Sequence, residues 1–294
     1  MNYLNVVLSP GLYLVATPIG TARDITLRAL DTLASADVLV AEDTRSLKKL
    51  MAIHGVPLGD RPVWSHHDHS GAGSTARVVN AVAQGLCVAY ASEAGTPMIS
   101  DPGFDLVRGV AASGGAVTTA PGPSAAIAAL TLARQPTDRF LFLGFLPSKT
   151  AARRAVLTTF ARTPTTLVAY ESPRRVQGTL ADCVTVLGED RSATLCRELT
   201  KRFEEVVSMP LGQLSASLAD RNLKGECVLV IGPPQRETVS EDRIAEALRT
   251  ALSAHRVKDA AALVAGQFGV PRKTVYAMAL AMGPRPKDDD DGEI

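Results

Sequence analysis

The sequence predicts an α/β protein: two α/β domains followed by a small helix-turn-helix-like segment. Three observations carry this. Short apolar runs alternate with helix-period segments over residues 12–133, the mark of a mainly parallel sheet. The chemically rich residues fall just after the apolar runs, at the strand ends where open α/β sheets bind ligands. After Gly232-Pro233-Pro234 the strand pattern stops and three helical segments follow. Only 4% of residues are aromatic, and alanine and valine dominate the apolar set, which favours helices on parallel strands over an aromatic-rich sandwich. The expected divisions are an N-terminal α/β domain at 1–134, a second at 135–235, helices at 236–283, and a disordered acidic tail at 284–294.

In the first domain, residues 12–16 form a strand broken by Thr17-Pro18-Ile19-Gly20. A helix at 26–35 puts Leu27, Leu30 and Leu33 on one face. A strand at 38–41 ends in Glu42-Asp43-Thr44-Arg45, and a helix then runs from about residue 46 to His54 and stops at Gly55. A third strand begins at Val63-Trp64 and ends in His66-His67-Asp68-His69; a helix covers 74–84. The apolar run 86–91 is a buried strand. It leads into Ser92-Glu93-Ala94-Gly95-Thr96-Pro97-Met98-Ile99-Ser100-Asp101-Pro102-Gly103, ahead of a helix at 104–112. Two glycines let this loop approach a ligand closely, and two prolines stiffen it. A strand at 116–119 ends in Pro121-Gly122-Pro123-Ser124-Ala125, before an alanine-rich helix to about 133. Five such endings on one edge point to a cleft.

After a linker at 135–139, the second domain opens with a strand at 140–143, punctuated by Gly144-Phe145-Leu146-Pro147-Ser148-Lys149. A basic helix containing Arg153 and Arg154 follows. A strand at 166–169 ends in Tyr170-Glu171-Ser172-Pro173-Arg174-Arg175, and one at 193–196 ends in Arg197-Glu198-Leu199-Thr200-Lys201-Arg202. Lys224-Gly225-Glu226 leads into residues 227–231, strongly β and expected at the sheet centre. The last segment reads as helices at 241–254, 258–268 and 271–282. Gly269-Val270 turns between the last two, a spacing that resembles a helix-turn-helix.

Lysine plus arginine (31) nearly balance aspartate plus glutamate (30), so net charge carries no nucleic-acid signature; four of the acids are Asp288 to Asp291, leaving the rest more basic. Cys87, Cys183, Cys196 and Cys227 are scattered beside apolar runs, as buried thiols in a reducing compartment would be. No transmembrane-length run or signal-peptide n-region is present, which predicts a soluble cytoplasmic protein. The histidine-rich strand end fits no standard zinc spacing, so no metal is expected. No GxGxxG follows the first strand and no Walker A motif occurs, which argues against dinucleotide and nucleoside-triphosphate chemistry. A cleft of proline and glycine turns with apolar flanks admits a phosphate-free ligand, S-adenosylmethionine among them, without selecting it.

Several motifs together resemble one family: Leu14-Val15-Ala16-Thr17-Pro18-Ile19-Gly20, Asp24-Ile25-Thr26-Leu27-Arg28-Ala29-Leu30, Ala41-Glu42-Asp43-Thr44-Arg45, Ala94-Gly95-Thr96-Pro97, Ile99-Ser100-Asp101-Pro102-Gly103, Pro121-Gly122-Pro123-Ser124-Ala125, Gly144-Phe145-Leu146-Pro147 and Arg197-Glu198-Leu199-Thr200-Lys201. The chain resembles the 16S ribosomal RNA cytidine 2′-O-methyltransferases of the tetrapyrrole-methylase superfamily over residues 11–282. The resemblance implies a two-domain class III methyltransferase fold with S-adenosylmethionine between the domains, commonly as a homodimer. Its substrate would be a decoding-centre cytidine of 16S rRNA within the 30S subunit. Three positions depart from the family pattern: Glu93 and Arg174 stand where aspartate and histidine are usual, and Thr21 where asparagine is frequent.

By the same resemblance, Pro18, Ala94, Gly95, Thr96, Pro97 and Ser124 hold the methionine and ribose side of the cofactor. Phe145, Leu146, Tyr170, Gly225 and Glu226 hold the adenine side. A ribose hydroxyl is a poor nucleophile, so a general base would help. Glu171, Glu93, Asp43 and Glu198 stand at strand ends as candidates, and Lys201 could lower the hydroxyl pKa. The expected RNA contacts are Arg23, Arg28, Arg45, Lys149, Arg153, Arg174, Arg175, Lys201 and Arg202, since guanidinium forks match phosphate. Two other readings compete: a superfamily methyltransferase acting on a porphyrinoid precursor, and a DNA-binding regulator using residues 258–282. The second leaves the cleft unexplained, and no DNA partner is expected.

Overall fold

The computed structural model describes residues 2–67, 72–235 and 240–282. Five parallel strands, β1 (Gly11–Val15), β2 (Val38–Ala41), β3 (Val63–Ser65), β4 (Cys87–Ala91) and β5 (Val117–Ala120), form a first sheet in the order β3-β2-β4-β1-β5. Helices α1 (Leu27–Ser35), α2 (Thr44–Ile53), α3 (Ala72–Ala83), α4 (Phe104–Ala112) and α5 (Ala125–Leu132) follow the strands in turn. Strand alternation sorts the core. Leu39, Ala41, Ala89 and Ala91 meet Leu30, Leu33, Leu47 and Met51 on one face. Val38, Val40, Val88 and Tyr90 meet Val78, Val82, Leu106 and Val110 on the other. Both faces are covered, which is why these strands read as continuous apolar runs. Thr26 starts α1 by accepting a hydrogen bond from the Ala29 amide at 3.1 Å.

The second sheet has the order β6-β7-β10-β8-β9. Its strands are β6 (Phe140–Phe145), β7 (Thr166–Glu171), β8 (Ser192–Arg197), β9 (Glu205–Pro210) and β10 (Cys227–Ile231). β10 is central, as its sequence predicts, and runs antiparallel to both neighbours; β6 and β7 are parallel. α6 (Thr150–Phe160), α7 (Val176–Leu187) and α8 (Leu211–Ser217) belong to the same half. Leu157, Leu180, Leu211 and Leu214 cluster on one side with Leu167, Leu195 and Leu229. α5 covers the opposite side: Ala126, Ala129, Leu130 and Ala133 pack with Val168, Cys196, Val228 and Val230. One helix of the first half thus shares a core with the second sheet, and its N-terminal end is held beside the strand-end loops.

The sequence reading leaves α7, β9 and α8 unassigned. β9 is an edge strand whose burial alternates, so it lacks the apolar run that marks β10. All four cysteines are buried and free. Burial pushes Cys183 and Cys196 up to about 12 and Cys227 up to about 11, keeping these thiols neutral.

The chain forms two compact units, Met1–Pro234 and Gln235–Ile294. The second contains α9 (Glu241–Ala254), α10 (Val257–Phe268) and α11 (Arg272–Ala281) around Ile244, Leu248, Val264, Val275 and Ala279. Gly269, at φ +63°, ends α10 in the left-handed conformation that lets the chain turn tightly. The expected acidic tail lies outside the described residues. No described helix is long and apolar enough to cross a membrane.

Candidate active site

Because β4, β1 and β5 are neighbours, the loops leaving their carboxyl ends meet. Thr17 and Gly95 exchange backbone hydrogen bonds of 2.9 and 3.0 Å. The Thr17 hydroxyl donates to the Ser92 carbonyl (3.1 Å), the Ser92 hydroxyl to the Gly95 carbonyl (2.6 Å) and the Thr96 hydroxyl to the Pro123 carbonyl (2.9 Å). Behind them the buried Tyr90 hydroxyl donates to the Pro102 carbonyl at 3.0 Å. The loop holds Gly95, Met98, Ser100 and Gly103 at positive φ. Met98 and Ser100 have a Cβ, and each such residue costs roughly 1–2 kcal/mol; the bonds around them hold that strain in place.

The facing wall comes from the second sheet. Its loop after β8 holds Glu198 and Thr200 at positive φ, so four of the five described non-glycine residues in that conformation lie on the two facing loops. The walls touch at Gly20: the Thr21 amide donates to Thr200 Oγ1 at 3.1 Å, and a Cβ on Gly20 would meet that oxygen at 2.4 Å. Tyr170 reaches across from β7, and its phenol oxygen accepts a hydrogen bond from the Ala126 amide at 3.2 Å. Phe145, 57% exposed, stands edge-on to Tyr170 with ring centres 5.6 Å apart.

Between the walls lies a cavity of about 640 Å³, within the usual range for small-molecule sites. Of the residues expected to hold a cofactor, Pro18, Ala94, Gly95, Thr96, Ser124, Phe145, Tyr170, Gly225 and Glu226 line it. Pro97 and Leu146 do not. Pro97 is buried in the loop. The Leu146 side chain lies in the second sheet's core, and its carbonyl accepts from Arg175. Ser46 also lines the cavity, as do Glu42, Ile99, Ser100 and Asp101, which the sequence places at cleft-forming strand ends without a cofactor role. Ile99, Ser100 and Asp101 belong to the loop already singled out, so the signal was present there. The third strand end is a correction. His66 is buried, its Nδ1 lies 3.0 Å from Ser74 Oγ, its ring packs edge-on to Tyr90, and it does not line the cavity. Asp68 and His69 lie outside the described residues.

The expected bases separate by geometry. Glu171 ends β7 with its carboxylate buried, where it accepts from the Ser172 amide (2.8 Å), Thr179 Oγ1 (2.6 Å) and Arg175 Nη2 (3.2 Å). Those bonds tie it to the start of α7, while the residue also lines the cavity. Asp43 caps α2: Oδ1 accepts from the Arg45 amide at 2.8 Å, and that bond first, then Arg45's side chain, holds its pKa down. Glu198 accepts from Lys201 Nζ (2.8 Å) and the Glu226 amide (3.1 Å). The Lys201 bond leads in holding its carboxyl below the ordinary range. Lys201 also binds Glu226 Oε2 at 2.7 Å. Burial alone would lower the lysine's pKa, but its two carboxylate bonds outweigh this and leave it raised. Glu93 is exposed, lines the cavity and has no polar partner among the described residues. The wall is therefore mainly acidic, with Glu42, Glu93, Asp101, Glu171 and Glu226 against Lys201, which is already paired.

Of the expected RNA contacts, Arg23, Arg28, Arg45, Lys149, Arg174 and Arg202 are exposed. Arg153 is not: its side chain is 6% exposed, and Nε donates to Asp182 Oδ2 at 2.7 Å. It is corrected to a buried ion pair that joins α6 to α7. Arg175 is half-buried and engaged with Glu171 and the Leu146 carbonyl, so it too serves the fold. Lys201 is tied to two carboxylates.

The family model described as Tetrapyrrole (Corrin/Porphyrin) Methylases matches residues 11–215, and that described as RsmI C-terminal HTH domain matches 237–283. A protein of Pseudomonas aeruginosa named Ribosomal RNA small subunit methyltransferase I is 43% identical over 274 residues, covering 92% of this chain and 96% of its own. One of the same name from Mesorhizobium japonicum is 39% identical over 290 residues, covering 97% and 96%. Among solved structures, cobalt precorrin-4 methyltransferase aligns with a TM-score of 0.58 at 16% identity, covering 75% of this chain and 94% of its own. Uroporphyrin-III C-methyltransferase of Thermus thermophilus, complexed with S-adenosylhomocysteine, aligns at 0.54 and 19% identity, covering 76% and 97%. These two likenesses bear on the fold, whereas the near-full-length sequence relatives fix the branch: the chain is a methyltransferase of the tetrapyrrole methylase family and belongs with the relatives named ribosomal RNA small subunit methyltransferase I.

Proposed function

We propose that this enzyme transfers a methyl group from S-adenosylmethionine to the ribose 2′-hydroxyl of a decoding-centre cytidine of 16S rRNA, within the 30S subunit. The observation that carries the reading is 43% identity over nine-tenths of the chain to a ribosomal RNA small subunit methyltransferase I. The cleft supports the cofactor. Its acidic wall disfavours phosphates and suits a sulfonium and an ammonium group, while Phe145 and Tyr170 offer an aromatic flank for a purine. When bound, this cofactor supplies a methyl group already activated by its sulfonium.

The protein's own task is then alignment, which can supply much of the acceleration. The loop pinned by Thr17 and Ser92 and the wall held by Glu198 and Lys201 fix the two sides. Glu93, a cavity-lining carboxylate with no polar partner among the described residues, takes the 2′-hydroxyl proton, a step worth roughly 10²–10⁴ in rate. The exposed Arg45, Arg174 and Arg202 flank residues that line the cleft and hold RNA phosphates. The same reading places the enzyme in the cytoplasm as a homodimer, which equilibrium sedimentation would check.

The test is transfer of labelled methyl to 30S subunits, free 16S rRNA, duplex DNA and a porphyrinoid. Label from 30S subunits in a nuclease-resistant 2′-O-methylated dinucleotide is expected. Label in the porphyrinoid or DNA alone would replace this reading.

A further inference from the structure

The helical unit carries a basic surface that the cleft does not explain. Lys258 near the start of α10, Arg272 and Lys273 at the start of α11, and Tyr276 one turn later line an open cavity of about 410 Å³. Among the described residues no carboxylate lines it. All four residues are exposed, Tyr276 by 40%. The Arg272 guanidinium donates to the Lys258 backbone carbonyl at 3.1 Å, which ties the two helix starts together and keeps the cations side by side. Among the described residues none of the three is in an ion pair.

Charge is segregated along this unit. α9 carries Glu241, Asp242 and Glu246 against Arg243 and Arg249. Residues 256–282 carry Arg256, Lys258, Arg272 and Lys273 against Asp259 alone. On α11, Val275 and Ala279 are buried while Arg272, Tyr276 and Leu280, four residues apart, form an exposed stripe. Neighbouring cations with no ion-pair partner among the described residues raise the local potential, which an anion relieves. Guanidinium and ammonium groups match phosphate oxygens, and an exposed aromatic face matches an unpaired base.

We propose that this face is a second RNA-binding surface. It holds the phosphates of an unpaired ribosomal RNA segment on Lys258, Arg272 and Lys273, and a base stacks on Tyr276. The choice of RNA rests on the function proposed above.

The test uses the full-length protein with Lys258→Gln, Arg272→Gln and Lys273→Gln combined, Lys273→Gln alone, Tyr276→Ala and Tyr276→Phe. Binding to 30S subunits and to duplex DNA is measured across a salt series, together with methyl transfer to 30S subunits and thermal unfolding. The triple variant should bind 30S subunits about tenfold or more weakly, with a salt slope smaller by about two to three; Lys273→Gln alone should lower the slope by about one. KM for the subunit should rise while kcat and cofactor affinity stay. Tyr276→Ala should weaken binding about 5- to 100-fold, and Tyr276→Phe should restore it. If wild type methylates 30S subunits and the folded triple variant keeps its affinity, slope and KM, this surface is not an RNA contact and the function stands. Tighter binding of this face to duplex DNA overturns it likewise. If wild type neither binds nor methylates small-subunit RNA, the function falls and this proposal with it.

Discussion

A Cβ atom on Gly225 would lie 2.3 Å from the Glu198 carboxylate, so the glycine is what lets Glu198 sit where it bonds Lys201 and the Glu226 amide. Gly225 also stands at φ +89°, where a side chain is strained in any case. Gly225→Ala should destabilise the protein by about 1–3 kcal/mol and turn Glu198 out of its pair. Cofactor affinity should fall at least about tenfold. Denaturant unfolding and isothermal titration check both.

Arg153 and Arg174 look alike in sequence and should behave oppositely. Arg153→Ala leaves the Asp182 carboxylate buried with Arg154 as its remaining ion-pair partner, and should cost about 3 kcal/mol of stability. Arg174→Glu changes an exposed side chain and should shift stability by less than about 0.5 kcal/mol. It should weaken binding to 30S subunits most at low salt. Melting curves beside a salt series of binding curves separate the two outcomes.

The Glu198–Lys201 pair sets a pH window. Glu198's carboxyl is lowered in the fold, so its contribution to stability is complete above about pH 4.5 and is lost as pH falls through the depressed value. Lys201 is raised, so its contribution is complete below about pH 10.5 and is lost as pH rises past the raised value. Lys201→Met should therefore shrink the acid-side loss, because the carboxylate it favoured is no longer held ionised. Melting temperature against pH, for wild type and variant, checks the sign.

Phe145 exposes over half its surface and leans on Tyr170. Phe145→Ala should change stability by less than about 1 kcal/mol, because the ring is not in the core. It should weaken S-adenosylmethionine about 5- to 100-fold if the ring flanks the purine. Unchanged affinity by titration would remove Phe145 from the site.

Element positions were readable where hydrophobicity is periodic or continuous: β2, α4, α9 and β10 lie where the residues place them. Direction was not readable, since an apolar strand looks the same whether β10 runs with its neighbours or against them. The loop at residues 92–103 announced itself through glycine and proline, yet nothing in Ser100 itself signals a positive φ. Charged residues were the hardest. Glu171 and Tyr170 are adjacent on β7 and so point to opposite faces; tyrosine meets the cleft, and glutamate meets Thr179 and Arg175. Arg153 is buried by a carboxylate 29 residues away, a pairing that local sequence does not reveal.

The order of the second sheet constrains how the chain is made. β10 alone joins β7 to β8, so before residue 227 is synthesised the β6–β7 and β8–β9 pairs are two separate ribbons, each with an unpaired edge. The first sheet has all its strands once residue 120 has emerged, more than a hundred residues earlier. A nascent chain halted just short of β10 should thus hold a folded N-terminal half and a protease-sensitive remainder, and five further residues should close both ribbons into one sheet.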